Sequence, residues 1–180
     1  MDVSNDIIEA CKRSERSAQK FIYEKFFSSM HAVCMRYVKG EEEALEVLND
    51  GFMSVFINIT QYKGDGCFEG WMRRIIVNKA IDHIRSNKKY KETVKYVEEY
   101  QDEPVTIEIE SSGYDIKELY RIIHNLPDIY RMVFNLYAVD GFSHKEIAAR
   151  IGISEGTSRW YLSESRKMLK EKLTLTTQKI

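Results

Sequence analysis

The run Ser143-His-Lys-Glu146, followed by Gly152-Ile153-Ser154-Glu155, constrains the fold more than any other feature of the chain. A serine three residues ahead of a glutamate is a capping box, in which the serine oxygen accepts an orphan backbone N–H and the carboxylate reaches back to the N–H of the serine. It opens a short helix carrying Ile147 and Ala148, and Gly152 ends that helix by supplying the left-handed backbone of a C-terminal cap. Ser154 caps a second helix, predicted from Glu155 to about Leu173. Two helices joined by a three- or four-residue glycine turn, the second long and basic, are the sequence form of a helix-turn-helix. Composition favours helices elsewhere too, because nine Gly and two Pro in 180 residues leave little material for a turn-rich β fold.

Helical spacing accounts for the rest of the chain in two blocks. In the first, Phe21, Ile22, Phe26, Met30, Val33, Cys34, Tyr37 and Val38 line one face of a helix that stops near Gly40, and a short helix around Ile7 and Ile8 precedes it. A second helix begins near Glu41, where acids suit the positive end of the dipole, and buries Leu45, Leu48, Phe52, Val55, Phe56 and Ile59. Glu46, Asn49, Asp50 and Met53 recur at the same period on its other side, a second stripe that a core does not need. After Gly64, Gly66 and Gly70 comes a third helix, from about Trp71 to Ser86. Met72, Ile75, Ile76, Ala80 and Ile84 face inward, and Arg73, Arg74, Lys79 and Arg85 outward.

Between roughly Asn87 and Gly113 the period fails. The stretch around Pro104 and Ser111-Ser-Gly113 reads as a linker, with a helical extension through Lys88–Tyr100 as an option. Val105–Ile109 alternates like a strand but has no partner, and a lone strand is not stable. The second block starts with a stripe of Ile116, Leu119, Tyr120 and Ile123. Pro127 suits the first turn of the next helix, which uses Ile129, Val133, Leu136 and Tyr137. The fold class is therefore all-α: two small helical domains, 1–90 and 115–180, joined by an acidic linker over 91–114. The second domain is a four-helix, winged-helix-like helix-turn-helix unit.

Charge follows the same division. Met1–Gly70 is net −4, Trp71–Lys91 net +6, Glu92–Asp115 net −7 and Ile116–Ile180 net +4. Two basic modules separated by an acidic one suit a protein that meets nucleic acid twice, with a linker repelled from it. On the last helix, Ser158, Leu162, Ser165 and Leu169 form the packing side, leaving Gly156, Arg159, Trp160, Ser163, Glu164 and Lys167 opposite. A recognition helix enters the major groove by its N-terminal residues, which places Arg159 and Trp160 for base contact and Arg166 or Lys167 for phosphates. Trp160 has a second reading, as a packing anchor against a partner or another domain. Trp71 is likewise open between core packing and stacking on an unpaired base.

Other classes find little support. Cys11, Cys34 and Cys67 are odd in number, lack a C-x-x-C pair and read as small core hydrophobes in a reducing compartment, the cytoplasm. No run approaches the ~20 apolar residues of a membrane span, so no membrane insertion is expected, and the N-terminus has no signal-peptide form. His31, His83, His124 and His144 are scattered. Gly64-Asp-Gly66 is neither a P-loop nor a dinucleotide fingerprint. No catalytic residue, metal site or cofactor is expected.

From Phe21 to Leu173 the chain resembles an extracytoplasmic-function sigma factor, the small two-domain branch of the sigma-70 family. Glu46, Asn49, Asp50 and Phe52 resemble the family motif E-D-x-x-Q-E-x-F, with Asn in place of Gln. The resemblance implies that these residues and Met53 bind the β′ clamp helices of core RNA polymerase. Tyr62 through Arg85 is similar to the segment that recognises and melts the minus-10 promoter element. That similarity implies DNA contacts from Tyr62, Asp65, Phe68, Trp71, Arg73, Arg74, Asn78, Lys79 and Arg85, with the loop before Trp71 and Asn78 lining a pocket for a flipped base.

The run Gly141-Phe-Ser-His-Lys-Glu-Ile-Ala148 to Thr157 resembles the minus-35 reader. It implies contacts from Ser143, Glu155, Gly156, Thr157, Arg159, Trp160, Ser163, Arg166 and Lys167. The same resemblance implies a β-flap contact, a linker in the RNA exit path and an anti-sigma partner. Where the family often reads T-V-K-S-R-L-H-R-A-R, this chain has Thr157-Ser-Arg-Trp-Tyr-Leu-Ser-Glu-Ser-Arg166, with fewer positive charges. A stand-alone helix-turn-helix regulator is the alternative, but it gives no reason for the polar stripe on the second helix or for the basic third helix.

Overall fold

The computed structural model describes residues 3–86 and 116–177. The linker, its optional helical extension and Val105–Ile109 lie outside the described residues, as does the side chain of Ile116. The chain divides between His83 and Ile84 into two compact units. All regular structure among the described residues is helical.

The N-terminal unit is built on α1 (Asn5–Lys12), α2 (Arg16–Tyr37), α3 (Glu41–Asn58) and α4 (Phe68–Ser86). α2 and α3 pack together, joined by the short turn at Val38–Gly40. Three glutamates in the first turn of α3 complement its dipole. Ile22, Phe26, Met30, Val33, Cys34 and Tyr37 of α2 meet Ala44, Val47, Leu48, Phe52 and Val55 of α3 in a fully buried core. α4 adds Phe68, Met72, Ile76, Val77, Ala80 and Ile81. It approaches α3 at Gly51, where an added Cβ would stand 2.7 Å from the Ile76 side chain.

Three details depart from the helical spacing. Phe21, assigned to the α2 core stripe, is 45% exposed, because it lies in the second turn of that helix about 100° from Ile22. The third long helix starts at Phe68, three residues early, and carries Ile75 half-buried. Cys67 is exposed at the end of the preceding loop, whereas Cys11 and Cys34 are buried as the sequence indicates.

The C-terminal unit contains α5 (Ile116–His124), α6 (Asp128–Phe134), a π-turn over Asn135–Val139, α7 (His144–Ile151) and α8 (Glu155–Thr177). α8 is the spine against which α5, α6 and α7 pack. Ile122, Leu126, Leu169 and Leu173 form one apolar cluster, with Leu119, Ile123, Tyr130, Phe134 and Met168 against it. Ile129, Met132, Val133, Leu136, Ile147, Ala148 and Ile151 complete the interior. Tyr120 is exposed and Ile122 takes the core place, because the α5 face that meets Leu169 and Leu173 centres between Leu119 and Ile122. Tyr137, assigned to the core, is also exposed, since the wider π-turn rotates it off the line that Ile129, Val133 and Leu136 define.

A charged group also lies in this interior. Arg131 is 1% exposed, and its guanidinium donates to the carbonyls of His124 at 3.1 Å and Leu126 at 3.0 Å and to the Asp128 carboxylate at 3.1 Å. It satisfies the carbonyls that end α5 and the acid that begins α6, tying two short helices across the turn at Pro127. The sequence gives no sign of this, since an arginine at that spacing reads as surface.

Candidate functional site

Three surfaces collect the residues singled out by sequence. The first is on α3. Glu46, Asn49, Asp50 and Met53 are all exposed on one face, Met53 at 62%. The tyrosine hydroxyl of Tyr23 donates to Asn49 Oδ1 at 3.1 Å, and its ring packs on Phe52 at 4.7 Å and Phe27 at 5.5 Å. Phe52 itself is 2% exposed, so it supports this face from beneath and cannot reach a partner directly. Ile57, 71% exposed, prolongs the stripe by one turn. The signal was present in the spacing 46, 50, 53, 57, which returns to the same side of a helix.

The second surface is the loop at Lys63–Cys67 and the outer face of α4. Gly64 and Gly66 take φ of 85° and 94°, values that favour glycine, and so let the chain turn sharply. Tyr62 closes the loop by donating its hydroxyl to the Gly66 carbonyl at 2.6 Å. Its ring meets Phe68 at 5.2 Å and Trp71 at 5.4 Å, and Phe68 meets Trp71 at 5.6 Å. Tyr62 and Phe68 are buried, which corrects their reading as direct nucleic-acid contacts: they are the aromatic floor of the loop. Trp71 is half-buried on that floor. Asp65, Arg74, Asn78 and Arg85 are exposed, while Arg73 and Lys79 are half-buried, Arg73 pairing with Glu69 at 3.6 Å.

The third surface is the helix-turn-helix. The capping box forms as read: Glu146 N–H donates to Ser143 Oγ at 3.3 Å, and Ser143 N–H to the Glu146 carboxylate at 2.9 Å. Gly152 adopts φ 73° and ψ 39° and returns its N–H to the Ala148 carbonyl. Ser154 Oγ accepts the Thr157 N–H at 3.0 Å, fixing the start of α8. Ser143 and Gly156 are exposed there, and Glu155 and Thr157 half-exposed. Arg159 projects outward and donates to the Glu155 carboxylate at 3.1 Å, and Lys167 pairs with Glu164 one turn on. Arg166 is half-buried.

Two of the outward assignments on α8 change. Ser163 is 6% exposed and faces the interior, in a run with the buried Tyr161 and Leu162. Trp160 is half-buried against Tyr130 at 6.0 Å and Tyr161 at 5.2 Å, which favours its packing reading. Burial, with the Glu164 carboxylate nearby, raises the Tyr130 pKa, so this hydroxyl stays protonated. Ser158, Leu162, Ser165 and Leu169 are all buried, as assigned.

One histidine stands apart by its surroundings. His144 Nδ1 lies 2.9 Å from Ser158 Oγ, and its ring stacks on Tyr137 with centroids 4.6 Å apart. Burial, then the charges of Arg159 and Arg166, lower its pKa below the ordinary 6.5, with Glu155 partly opposing. Among the described residues no group of His, Cys, Asp and Glu could hold a metal ion, and no helix is long and apolar enough to cross a membrane.

This arrangement of one helical unit with a loop-and-basic-helix face and another with a helix-turn-helix is that of a two-region transcription factor of the sigma type. Residues 22–90 match the model of sigma-70 region 2, and residues 116–169 that of sigma-70 region 4. The chain is 24% identical to the ECF RNA polymerase sigma factor SigW of Bacillus subtilis, over 92% of this chain and 94% of the relative. It is 21% identical to the ECF RNA polymerase sigma-E factor of Haemophilus influenzae, over 93% of each. Among solved structures it resembles the sigma factor RpoE of Bartonella quintana, crystallised with the anti-sigma factor NepR. That match has a TM-score of 0.52 and 20% identity over 86% of this chain and 96% of the other. The chain belongs to the sigma-70 family, and within it to the ECF group of RNA polymerase sigma factors, which are not enzymes.

Proposed function

We propose that this chain directs promoter-specific initiation by dividing the work between its three surfaces. The α3 stripe of Glu46, Asn49, Asp50 and Met53, extended by Ile57, docks on the β′ clamp helices of core polymerase. The loop over the Tyr62–Phe68–Trp71 floor, with Arg73, Arg74, Asn78, Lys79 and Arg85, receives and melts the minus-10 element. Ser143, Glu155, Gly156, Thr157 and Arg159 meet the minus-35 element, with Arg166 and Lys167 on its phosphates. The boundaries 1–90, 91–114 and 115–180 separate these tasks, and the acidic linker follows the RNA path. A contact with the β flap, a cytoplasmic location and an anti-sigma partner complete the reading. The last is supported by the NepR-bound relative.

The observation that carries this reading is the α3 stripe. Its four members are exposed, and a stand-alone regulator has no use for a second patterned face beside the core-packing one. Run-off transcription with core polymerase on fragments of the source genome tests it. Discrete transcripts that require this protein support initiation. Specific duplex binding by the free chain with no added transcripts would favour the regulator.

A further inference from the structure

The recognition helix is joined to the helix before it by a polar contact that the reading of promoter bases leaves unused. His144 is the first residue of α7, and Ser158, at the end of the first turn of α8, has no exposed surface. The 2.9 Å contact between Nδ1 and Oγ therefore spans the two helices at the level of Arg159, the next residue after Ser158. Tyr137, on the π-turn, stacks on the imidazole and fixes the ring plane. Three elements thus meet at one side chain. Resting on the reading of this unit as the minus-35 reader, we propose that uncharged His144 is a positioning residue that sets the angle at which α8 presents Arg159 to the groove.

The surroundings make that role dependent on the imidazole's charge. Arg159 and Arg166 on α8 repel a cation there, Glu155 on the same helix attracts it, and Tyr137 presents a neutral ring. On α7 itself His144 sits at the positive end of the helix dipole, next to Lys145 and two residues from Glu146. Cations outnumber the acids facing the ring, and the ring is partly buried. Protonation makes Nδ1 an obligate donor to Ser158 Oγ and sets the ring's charge against Arg159 and Arg166, which loosens the hold on the N-terminal turn of α8. A shift of 1 Å at a reading arginine spoils a bidentate contact.

The test uses holoenzyme assembled from core polymerase and the full chain, and a promoter duplex selected by the wild-type holoenzyme from a library randomised at minus-35. Affinity for that duplex, and for one with the minus-35 element scrambled, is measured from pH 5.5 to 8. His144→Asn, which offers a neutral amide near the Nδ1 position, is compared with His144→Ala and Ser158→Ala. The wild type is expected to lose its minus-35 preference as pH falls below about 6.5. His144→Asn should keep the preference across the range, and His144→Ala should lose roughly three- to tenfold at every pH, the worth of one net hydrogen bond. Imidazole NMR of the full chain provides a readout that packing alone would not move: Ser158→Ala should shift the His144 titration. Superimposable pH profiles for wild type and His144→Asn, or an unchanged titration in Ser158→Ala, would overturn the proposal. A wild type with no minus-35 preference at pH 8 would instead overturn the reading on which it rests.

Discussion

The two units solve the same problem with different materials. In the N-terminal unit the described buried side chains are aliphatic, aromatic or sulfur-containing, whereas Arg131, Asn135, Ser158, Ser163 and Ser165, the polar ones, all lie in the C-terminal unit. Helix length explains the contrast. α2, α3 and α4 run for 22, 18 and 19 residues and bury long continuous faces. α5, α6 and α7 have 9, 7 and 8 residues, lengths at which a helix in isolation is not stable. Short helices expose a large share of unpaired backbone groups at their ends, so polar side chains must go inside to meet them. Arg131 does this between α5 and α6, Ser165 donates to the Tyr130 carbonyl at 3.0 Å between α8 and α6, and at the surface the capping box of α7 and the Ser154 cap of α8 serve the helix starts. The functional faces follow suit: one unit displays its side chains on a rigid dry core, and the other holds a recognition helix by individual polar contacts.

The comparison breaks most sharply at Arg131. Arg131→Met keeps the bulk but leaves the His124 and Leu126 carbonyls without their donor. At about 1–3 kcal/mol for each buried group left unsatisfied, it should destabilise the C-terminal unit by about 3 kcal/mol. Urea unfolding followed by the fluorescence of Trp160 measures this in a Trp71→Phe background. A loss under 1 kcal/mol would mean that apolar burial suffices there after all.

In the N-terminal unit the sensitive variable is volume. Gly51→Val places branched carbon where a single Cβ already comes within 2.7 Å of Ile76. It should cost about 1–3 kcal/mol through overpacking, read by Trp71 fluorescence in a Trp160→Phe background. The exposed residues Glu46 and Asp50 on the same helix should tolerate substitution with little change in stability.

Acid separates the units next. His144 has a folded pKa below its ordinary 6.5, so unfolded chains bind its proton more readily. Its contribution is complete above about pH 6.5 and is lost as pH falls through the folded value. The C-terminal unit should therefore lose stability as pH falls below 6.5, and His144→Asn should remove that part of the pH dependence in thermal melts. An identical melt profile for the variant would count against it.

The smallest effect is chemical. Burial raises the thiol pKa of Cys11 to about 11 and of Cys34 to about 12, while Cys67 is exposed. A thiol reagent at pH 8 should modify one cysteine of the native chain rapidly, and peptide mapping should find it at Cys67. Rapid labelling of Cys34 would mean that α2 and α3 open more readily than a dry core allows.

These differences also explain what could be read from the sequence. Long amphipathic faces and the caps at Ser143, Gly152 and Ser154 are local, and the structure reproduces them. The α3 stripe was legible for the same reason. Side chains whose position depends on a neighbour were not. Tyr137 is displaced by a π-turn that no spacing announces, Tyr120 yields to Ile122 according to where α8 lies, and Ser163 is buried beside Tyr161 and Leu162 although it falls on the side opposite the packing stripe. Tyr62, Phe68 and Phe52 fall within the family's motifs, yet all three are buried, which the motif alone does not reveal.

The central claim is that the two units divide polymerase docking from minus-35 reading. The most direct test measures both functions in two variants, Asp50→Arg and Arg159→Ala, by core-polymerase affinity and by selection from a promoter library randomised at minus-35. Asp50→Arg should weaken core binding at least tenfold while leaving the circular dichroism spectrum and the selected minus-35 sequence unchanged. Arg159→Ala should bind core polymerase normally and lose about 1–3 kcal/mol of discrimination at one base pair. If Asp50→Arg leaves core affinity intact, or Arg159→Ala weakens every promoter equally, the division of labour assigned to the two units is wrong.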